Sequence, residues 1–208
     1  VITEYVGGSF GEKNGPSEEP LIAFMAKKLA QPVKWIASRT EHTLTTGHAR
    51  DEIFYVDAAV TNEGKILGLK VKQILDGGHS FAGGALLTAG VYIPGPYKIE
   101  NYRCYSYGVT TNKARFGAYR ALIKIDSNYA IERTVDLIAK ELNIPANEIR
   151  FRNFIQPEEF PYIMVTGCVY DSGDYPEALK RALSLVGYDE IKAKQKEWRE
   201  QGRYIGVA

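Results

Sequence analysis

An α+β fold, a mixed sheet built around a hairpin and followed by several packed helices, is what the sequence predicts, and three observations carry it. Apolar and polar residues alternate from Ile53 to Val60 and again from Ile66 to Ile74, with Asn62-Glu63-Gly64-Lys65 between them as a turn. Apolar residues recur at helical spacing from about Ser127 to Leu142, then from Tyr175 to Val186 and from Asp189 to Gln201. Strand signals thus gather in the first half and helix signals in the second, an order that favours α+β over a doubly wound parallel sheet.

Taken in order, the chain opens on a strand-like alternation at Val1 to Val6 that runs into Gly7-Gly8-Ser9-Phe10-Gly11. Ser17 caps a helix whose acidic first turn suits the helix dipole; Leu21, Ile22, Phe24, Met25 and Leu29 give it one apolar face, and Gln31-Pro32 stops it. Val33 to Ile36 reads as a short strand, and Ser38-Arg39-Thr40-Glu41 has the spacing of a capping box that opens a short helix. After the hairpin, residues 76–95 are rich in glycine and small side chains, which predicts irregular loop with a short helix around 85–89. A strand follows at Tyr102 to Val109. The stripe Tyr129, Ile131, Val135, Ile138, Ala139 and Leu142 marks the long helix, and Pro145 to Asn153 a shorter one. Arg203 to Ala208 reads as a strand beginning. The missing initiator Met and the abrupt strand-like ends predict a piece of a longer protein, truncated on both sides.

Composition narrows the function classes. The chain has 208 residues, 26 Lys+Arg against 25 Asp+Glu and 45% hydrophobic residues, which excludes a disordered, collagenous or coiled-coil chain. Cys104 and Cys168 are too few for a disulfide framework or a zinc site, and a reducing cytoplasmic setting fits best. Balanced charge without a long basic run argues against nucleic acid as a partner, and no apolar stretch approaches the roughly 18 to 20 residues of a membrane-spanning helix. His42, His48 and His79 read as polar loop or surface residues, since no spacing among them completes a metal set. Asp171-Ser172-Gly173-Asp174 reads as a turn and helix cap, and Lys192 to Lys196 as a solvated helix face.

One segment has the pattern of a ligand cradle. In Gly7-Gly8-Ser9-Phe10-Gly11-Glu12-Lys13 a strand enters a turn without bulky Cβ substituents, so backbone N–H groups can approach an oxyanion or oxo ligand. It lacks both the Walker and the dinucleotide spacing, and a plain tight turn explains it equally well by itself. A second segment, Thr111-Asn112-Lys113-Ala114-Arg115-Phe116-Gly117-Ala118-Tyr119-Arg120, gives it its value.

Together these segments resemble the molybdenum hydroxylases, the xanthine oxidase and aldehyde oxidase family that includes the large subunit of aerobic carbon monoxide dehydrogenase. The likeness runs the length of the chain: GGSFGEK is similar to the family's GGGFGxK loop, PVKWIASRTEHTLTTGHARD to its segment leading into the hairpin, and TNKARFGAYR to its TNxxPxGAYR. YAIERTVDLIAKELNIPANEIRFRNFI and TGCVYDSGDYPEAL follow in the family's order, and RYIGVA resembles the strand that opens the next part of the large subunit. The resemblance implies that residues 1–208 are the first portion of a molybdopterin-binding domain, with a helical part over 126–201.

What it further implies is specific. The cofactor is molybdenum held by molybdopterin, with the cytosine dinucleotide form among the candidates, and 2Fe-2S clusters and FAD are expected in partner domains or subunits. The implied partners are the remainder of the molybdopterin subunit, an iron–sulfur subunit, an FAD subunit and a small-molecule substrate. Gly8, Ser9, Phe10 and Gly11 fall where the family contacts the cofactor, and Arg120 where its arginine orients or stabilises substrate, offering a rigid fork of donors to an oxygen that gains charge. Asn14, Tyr119 and Ala121 fall on the substrate pocket. Asn14 stands where xanthine oxidases carry a purine-binding glutamate, which disfavours purine hydroxylation. Ala121 stands where carbon monoxide dehydrogenases carry a copper-holding cysteine, which disfavours copper-dependent chemistry. Leu122 and Ile123 replace a small, glycine-rich stretch and predict a narrowed loop. The expected function is oxidation of an aldehyde or small heteroaromatic with oxygen from water; a non-catalytic structural or assembly subunit is the alternative. The family's glutamate base lies in a later region.

Overall fold

Alternation of side chains builds the sheet. In the computed structural model, which describes residues 2, 7–11, 13, 18–80, 88 and 90–207, strands β1 (Glu52–Val60), β2 (Ile66–Asp76) and β3 (Asn101–Val109) form one sheet in the order β1-β2-β3. The connection between β1 and β2 closes on itself, the Thr61 amide donating to the Lys65 carbonyl at 2.9 Å and the Gly64 amide to the Thr61 carbonyl at 2.9 Å. The flanking strands bury every second residue only in part, whereas Ile66, Leu69, Val71 and Leu75 of the central strand are fully or almost fully buried. Within β2 the buried positions switch from even to odd between Gly68 and Leu69. Successive strand side chains point to opposite faces, so the switch changes the face that is buried. One compact unit of the chain ends at Gly68 and another begins at Leu69.

The first unit takes in residues 1–57, 69–95 and 103–134, and the second 58–68, 96–102 and 135–208. Helices α1 (Glu19–Leu29) and α2 (Arg39–Thr45) belong to the first. Helix α3 (Lys124–Leu142) contributes to both, and α4 (Ala146–Asn153), α5 (Tyr175–Val186) and α6 (Tyr188–Glu200) lie in the second. Local chemistry sets several ends as expected. Ser38 and Glu41 form a reciprocal capping box at α2, and Asp174 accepts from the Glu177 amide at 2.9 Å at the head of α5. Asn143, in the left-handed region at φ 54°, ends α3. Paired two-residue strands β4 (Tyr162–Ile163) and β5 (Val169–Tyr170) were not expected, because two residues are too few to show an alternation.

Other departures have physical reasons. Val33 to Ile36 is not a strand; among the described residues it has no ladder partner, and Ile36 is 74% exposed. Residues 203–207 likewise form no strand. Helix α1 begins after Glu18, which makes no side-chain cap, and it buries none of its residues although Leu21, Phe24 and Leu29 lie on it. Helix α3 starts earlier than its stripe suggests, and Tyr129 is 67% exposed; Ser127, Ala130, Ile131, Thr134, Val135, Ile138 and Ala139 form the buried stripe instead. Ser17, the strand expected at 1–6 and the helix expected at 85–89 fall outside the described residues, apart from Ile2 and Thr88.

In the second unit a buried polar side chain ties the hairpin to α4. Asn153, 1% exposed, accepts from the Ile66 amide at 2.8 Å and donates to the carbonyls of Gly64 and Ile149, both at 2.8 Å. Tyr97 stacks on the neighbouring Phe154 with ring centroids 5.3 Å apart. Truncating Asn153 leaves a buried amide without an acceptor and two carbonyls short of a donor. Asn153→Ala is expected to cost roughly 3 kcal/mol, read from the urea unfolding midpoint at constant slope; a loss under about 1 kcal/mol would contradict this account.

Candidate functional site

The segment 111–120, which carries the expected arginine, is held from both sides by backbone hydrogen bonds within the first unit. On one side the Thr111 amide donates to Gly78 at 3.0 Å, the His79 amide to Lys113 at 3.0 Å and the Phe116 amide to Gly77 at 2.9 Å. On the other, the His48 amide donates to Arg115 at 2.9 Å and the Gly117 amide to His48 at 3.1 Å. Gly47 and Gly117 pass so closely that a Cβ on either would lie 2.4 Å from the other's Cα, which only paired glycines permit. Phe116 and Ile123 then pack with Leu75 in a buried cluster.

The turn and the arginine meet. The Arg120 amide donates to the Phe10 carbonyl at 2.6 Å, and Gly11, at φ 100°, lies so close to Ala118 that a Cβ would sit 2.9 Å from its carbonyl oxygen. Ser9 Oγ accepts from the amides of Gly11 at 3.3 Å and Lys13 at 3.2 Å, and Lys13 Nζ donates to the Gly7 carbonyl at 2.7 Å. These bonds close the turn on itself. Among the described residues the amides of Gly8, Ser9 and Phe10 have no protein acceptor, so the turn retains a set of donors for an external oxygen. Tyr119, Arg120 and Ala121 are exposed beside it, while Asn14 lies outside the described residues.

The loop after Arg120 differs from expectation. Leu122 packs against the buried cluster and Ile123 is fully buried, so neither bulky side chain projects as an exposed obstruction beside Arg120. The backbone conformation accommodates this: Ala121 and Leu122 both take left-handed conformations, at φ 67° and 52°, unfavourable for residues with a Cβ.

Charged groups outside the expected set gather behind the same loop, and Arg50 supports it directly. Arg50 Nη2 donates to the Tyr119 carbonyl at 2.7 Å and the Arg120 carbonyl at 3.2 Å, and Arg50 Nε lies 3.1 Å from Asp126 Oδ2 at the head of α3. Glu52 accepts from Gln73 Nε2 at 2.6 Å, and its other oxygen is buried without a protein partner. Burial pushes the Glu52 carboxyl up to about 7 against the Gln73 hydrogen bond, with the Asp126 charge adding to the rise and Arg50 opposing it; burial also raises Asp126, against the pull of Arg50. A cavity of about 400 Å³ adjoins Arg50, lined by Lys113, Phe116 and His48 among others. Lys113 bridges Asp51 and Asp76 there, holding Asp76 down to about 2 with help from Thr111 and the Gly78 amide. A signal for Glu52 lay in the alternation: it falls on the same register as the half-buried Phe54 and Val56. Among the described residues no group of three or more metal-ligating side chains occurs, and no helix is long and apolar enough to cross a membrane.

The family model of the molybdopterin cofactor-binding domain matches residues 1–154. The chain belongs to this family. The carbon monoxide dehydrogenase large chain of Hydrogenophaga pseudoflava is 41% identical over 202 residues, covering 94% of this chain and 25% of that protein. The 6-hydroxypseudooxynicotine dehydrogenase complex subunit gamma of Paenarthrobacter nicotinovorans is 35% identical over 212 residues, covering 97% of this chain and 27% of its own length. Among solved structures, a Cu,Mo-CO dehydrogenase superposes with a TM-score of 0.87 at 35% identity, over 97% of this chain and 27% of that one. Quinoline 2-oxidoreductase from Pseudomonas putida 86 gives 0.86 at 31%, over 95% and 26%. This molybdopterin cofactor-binding domain chain spans about a quarter of the length of the curated relatives it matches. Its donor-rich turn fits an oxygen-bearing group such as the family's cofactor carries.

Two outcomes test this geometry. Ala121→Gly removes a Cβ from an exposed left-handed position and is expected to stabilise the protein by about 0.5 kcal/mol, the relief of strain exceeding the added chain entropy; a loss of stability would contradict it. For Glu52, raised from 4.5 to about 7, the folded chain keeps a proton between those pH values that the unfolded chain has released. Its contribution therefore turns increasingly destabilising as pH rises through that window. Glu52→Gln should raise Tm relative to the parent at pH 8 and by much less at pH 4.5; an equal shift at both would refute the buried-carboxyl account.

Proposed function

We propose that residues 1–208 are the first portion of the molybdopterin-binding domain of a molybdenum hydroxylase, with a helical part over 126–201, acting on an aldehyde or a small heteroaromatic. The observation that carries this reading is the 2.6 Å hydrogen bond from the Arg120 amide to the Phe10 carbonyl, which joins the donor-rich turn to the substrate-facing arginine. When bound, the molybdenum–molybdopterin group supplies the two-electron oxidation and the oxygen drawn from water. Gly8, Ser9, Phe10 and Gly11 form the cradle for that group, the amides of the first three supplying the donors, and the turn is closed by Ser9 Oγ, which accepts from the Gly11 amide, and by Lys13, so that little reorganisation is needed. Arg120 presents a planar fork of N–H groups to the substrate oxygen as charge builds on it. Tyr119 and Ala121, exposed on either side, line the pocket, and the resemblance to the family assigns Asn14 to the same pocket.

The names of the relatives support an oxidoreductase and span several substrates, carbon monoxide and 6-hydroxypseudooxynicotine among them. Ala121 has no thiolate for a soft metal, which supports carbon-centred substrates over a copper-assisted reaction. 2Fe-2S and FAD centres in partner domains or subunits would accept the electrons in a cytoplasmic complex, with the cytosine dinucleotide form among the candidates for the molybdopterin. The non-catalytic alternative drew on Leu122 and Ile123 as obstructions, and their inward packing favours the catalytic reading.

In the complete enzyme containing this chain, Arg120→Lys is expected to lower kcat/KM by roughly 100- to 1,000-fold, the scale of removing one oriented donor at a developing oxyanion. Molybdenum content by mass spectrometry should be unchanged. Full activity in this variant would overturn the role given to Arg120.

A further inference from the structure

We propose that Arg50 is a positioning residue for Arg120, its guanidinium holding the Tyr119 and Arg120 carbonyls while Asp126 holds the guanidinium. The inference rests on the reading of Arg120 as the substrate-facing group and adds the device that sets its direction.

Ala121 and Leu122 occupy consecutive left-handed conformations, which persist only where the surroundings over-determine them. Leu122 is anchored from one side by its contact with the buried cluster, and its amide reaches the Tyr119 carbonyl at 3.2 Å. From the other side Arg50 Nη2 reaches the same carbonyl at 2.7 Å and the next at 3.2 Å, so the two peptide planes flanking Arg120 Cα are both gripped. With its amide bonded to Phe10, Arg120 then has little backbone freedom left, and its side chain departs from a fixed base.

Burial makes Arg50 suited to the task. Its side chain is 14% exposed and that of Asp126 21%, so the pair works where water competes weakly, and the adjacent carboxylate and the two carbonyls offset the cost of withdrawing the cation from water. Arg50 Nε lies 3.1 Å from the carboxylate, which leaves Nη2 free to reach the loop. Glu52 interacts electrostatically with the same guanidinium. Lysine could keep the ion pair but, as a compact point charge, could not serve carboxylate and both carbonyls from one rigid plane.

The test uses the complete holoenzyme with Arg50→Lys, Arg120→Lys and the double variant. Kinetics are measured on benzaldehyde and on quinoline with a dye acceptor, and amide exchange is followed by mass spectrometry over residues 118–124. Arg50→Lys is expected to accelerate exchange of the Arg120 and Leu122 amides about ten-fold while exchange in β2 is unchanged. It should also lower kcat/KM about ten-fold with molybdenum content preserved, and by less than about two-fold when Arg120 is already lysine, because a positioning residue has no effect without the group it positions. Unchanged exchange, or losses that multiply independently in the double variant, overturns the proposal. An Arg120→Lys enzyme of full activity overturns the reading beneath it instead. Turnover of neither probe counts against that reading too, and the exchange result then decides Arg50 by itself. Should Arg50→Lys not fold, Asp126→Asn keeps Arg50 in place without its counterion, and the same exchange and coupling patterns are required of it.

Discussion

The site depends on the backbone hydrogen bonds that hold residues 111–117 between 47–48 and 77–79. They fix the path of a segment with no regular secondary structure of its own, and they require side chains to be absent where Gly47 meets Gly117. Because the path is fixed, Phe116 reaches the buried cluster, Ala118 lies against Gly11, and Arg120 emerges beside the Phe10 carbonyl. A donor-rich turn in isolation is an ordinary tight turn; joined to this segment it has one wall of a pocket defined.

The exit from that segment joins stability to presentation. A stretch of small residues would turn the chain at little conformational cost, whereas Ala121 and Leu122 turn it in a conformation their Cβ atoms disfavour. The compensation is packing: Leu122 and Ile123 enter the cluster with Leu75 and Phe116 and lead directly into helix α3 at Lys124. Arg50 and Asp126 bear a related cost, since both are withdrawn from much of the solvent, and their desolvation is offset by the carbonyls and by each other.

Much of the proposed site was legible because its parts are local. Gly8 to Gly11 and the run ending at Arg120 are contiguous motifs, and their residue types state their chemistry. Arg50 lay inside a motif similar to the family's, yet nothing in its neighbourhood names a role, because the carbonyls it serves are about seventy residues away in the chain. Glu52 and Asp126 were missed for the same reason. A carboxylate in a sequence reads as solvated, and only burial beside a second charge shifts its proton equilibrium. The narrowed loop expected from Leu122 and Ile123 failed because side-chain volume was legible and side-chain direction was not.

By itself the sequence determined the strands, helices and caps whose causes lie within a few residues: the alternation of β1 and β2, the capping box at Ser38, the Asp174 cap, and Ile131, Val135, Ile138 and Ala139 of the α3 stripe. It determined the family as well, through motifs spread along the chain in a fixed order. Tertiary structure decided what depends on a distant partner. Val33 to Ile36 has strand composition and no strand to pair with among the described residues, Asn153 is a helix residue until the hairpin brings it an amide and a carbonyl, and β2 changes its buried face between Gly68 and Leu69. Local propensity is a property of neighbouring residues, whereas burial and the direction of a side chain belong to the whole fold.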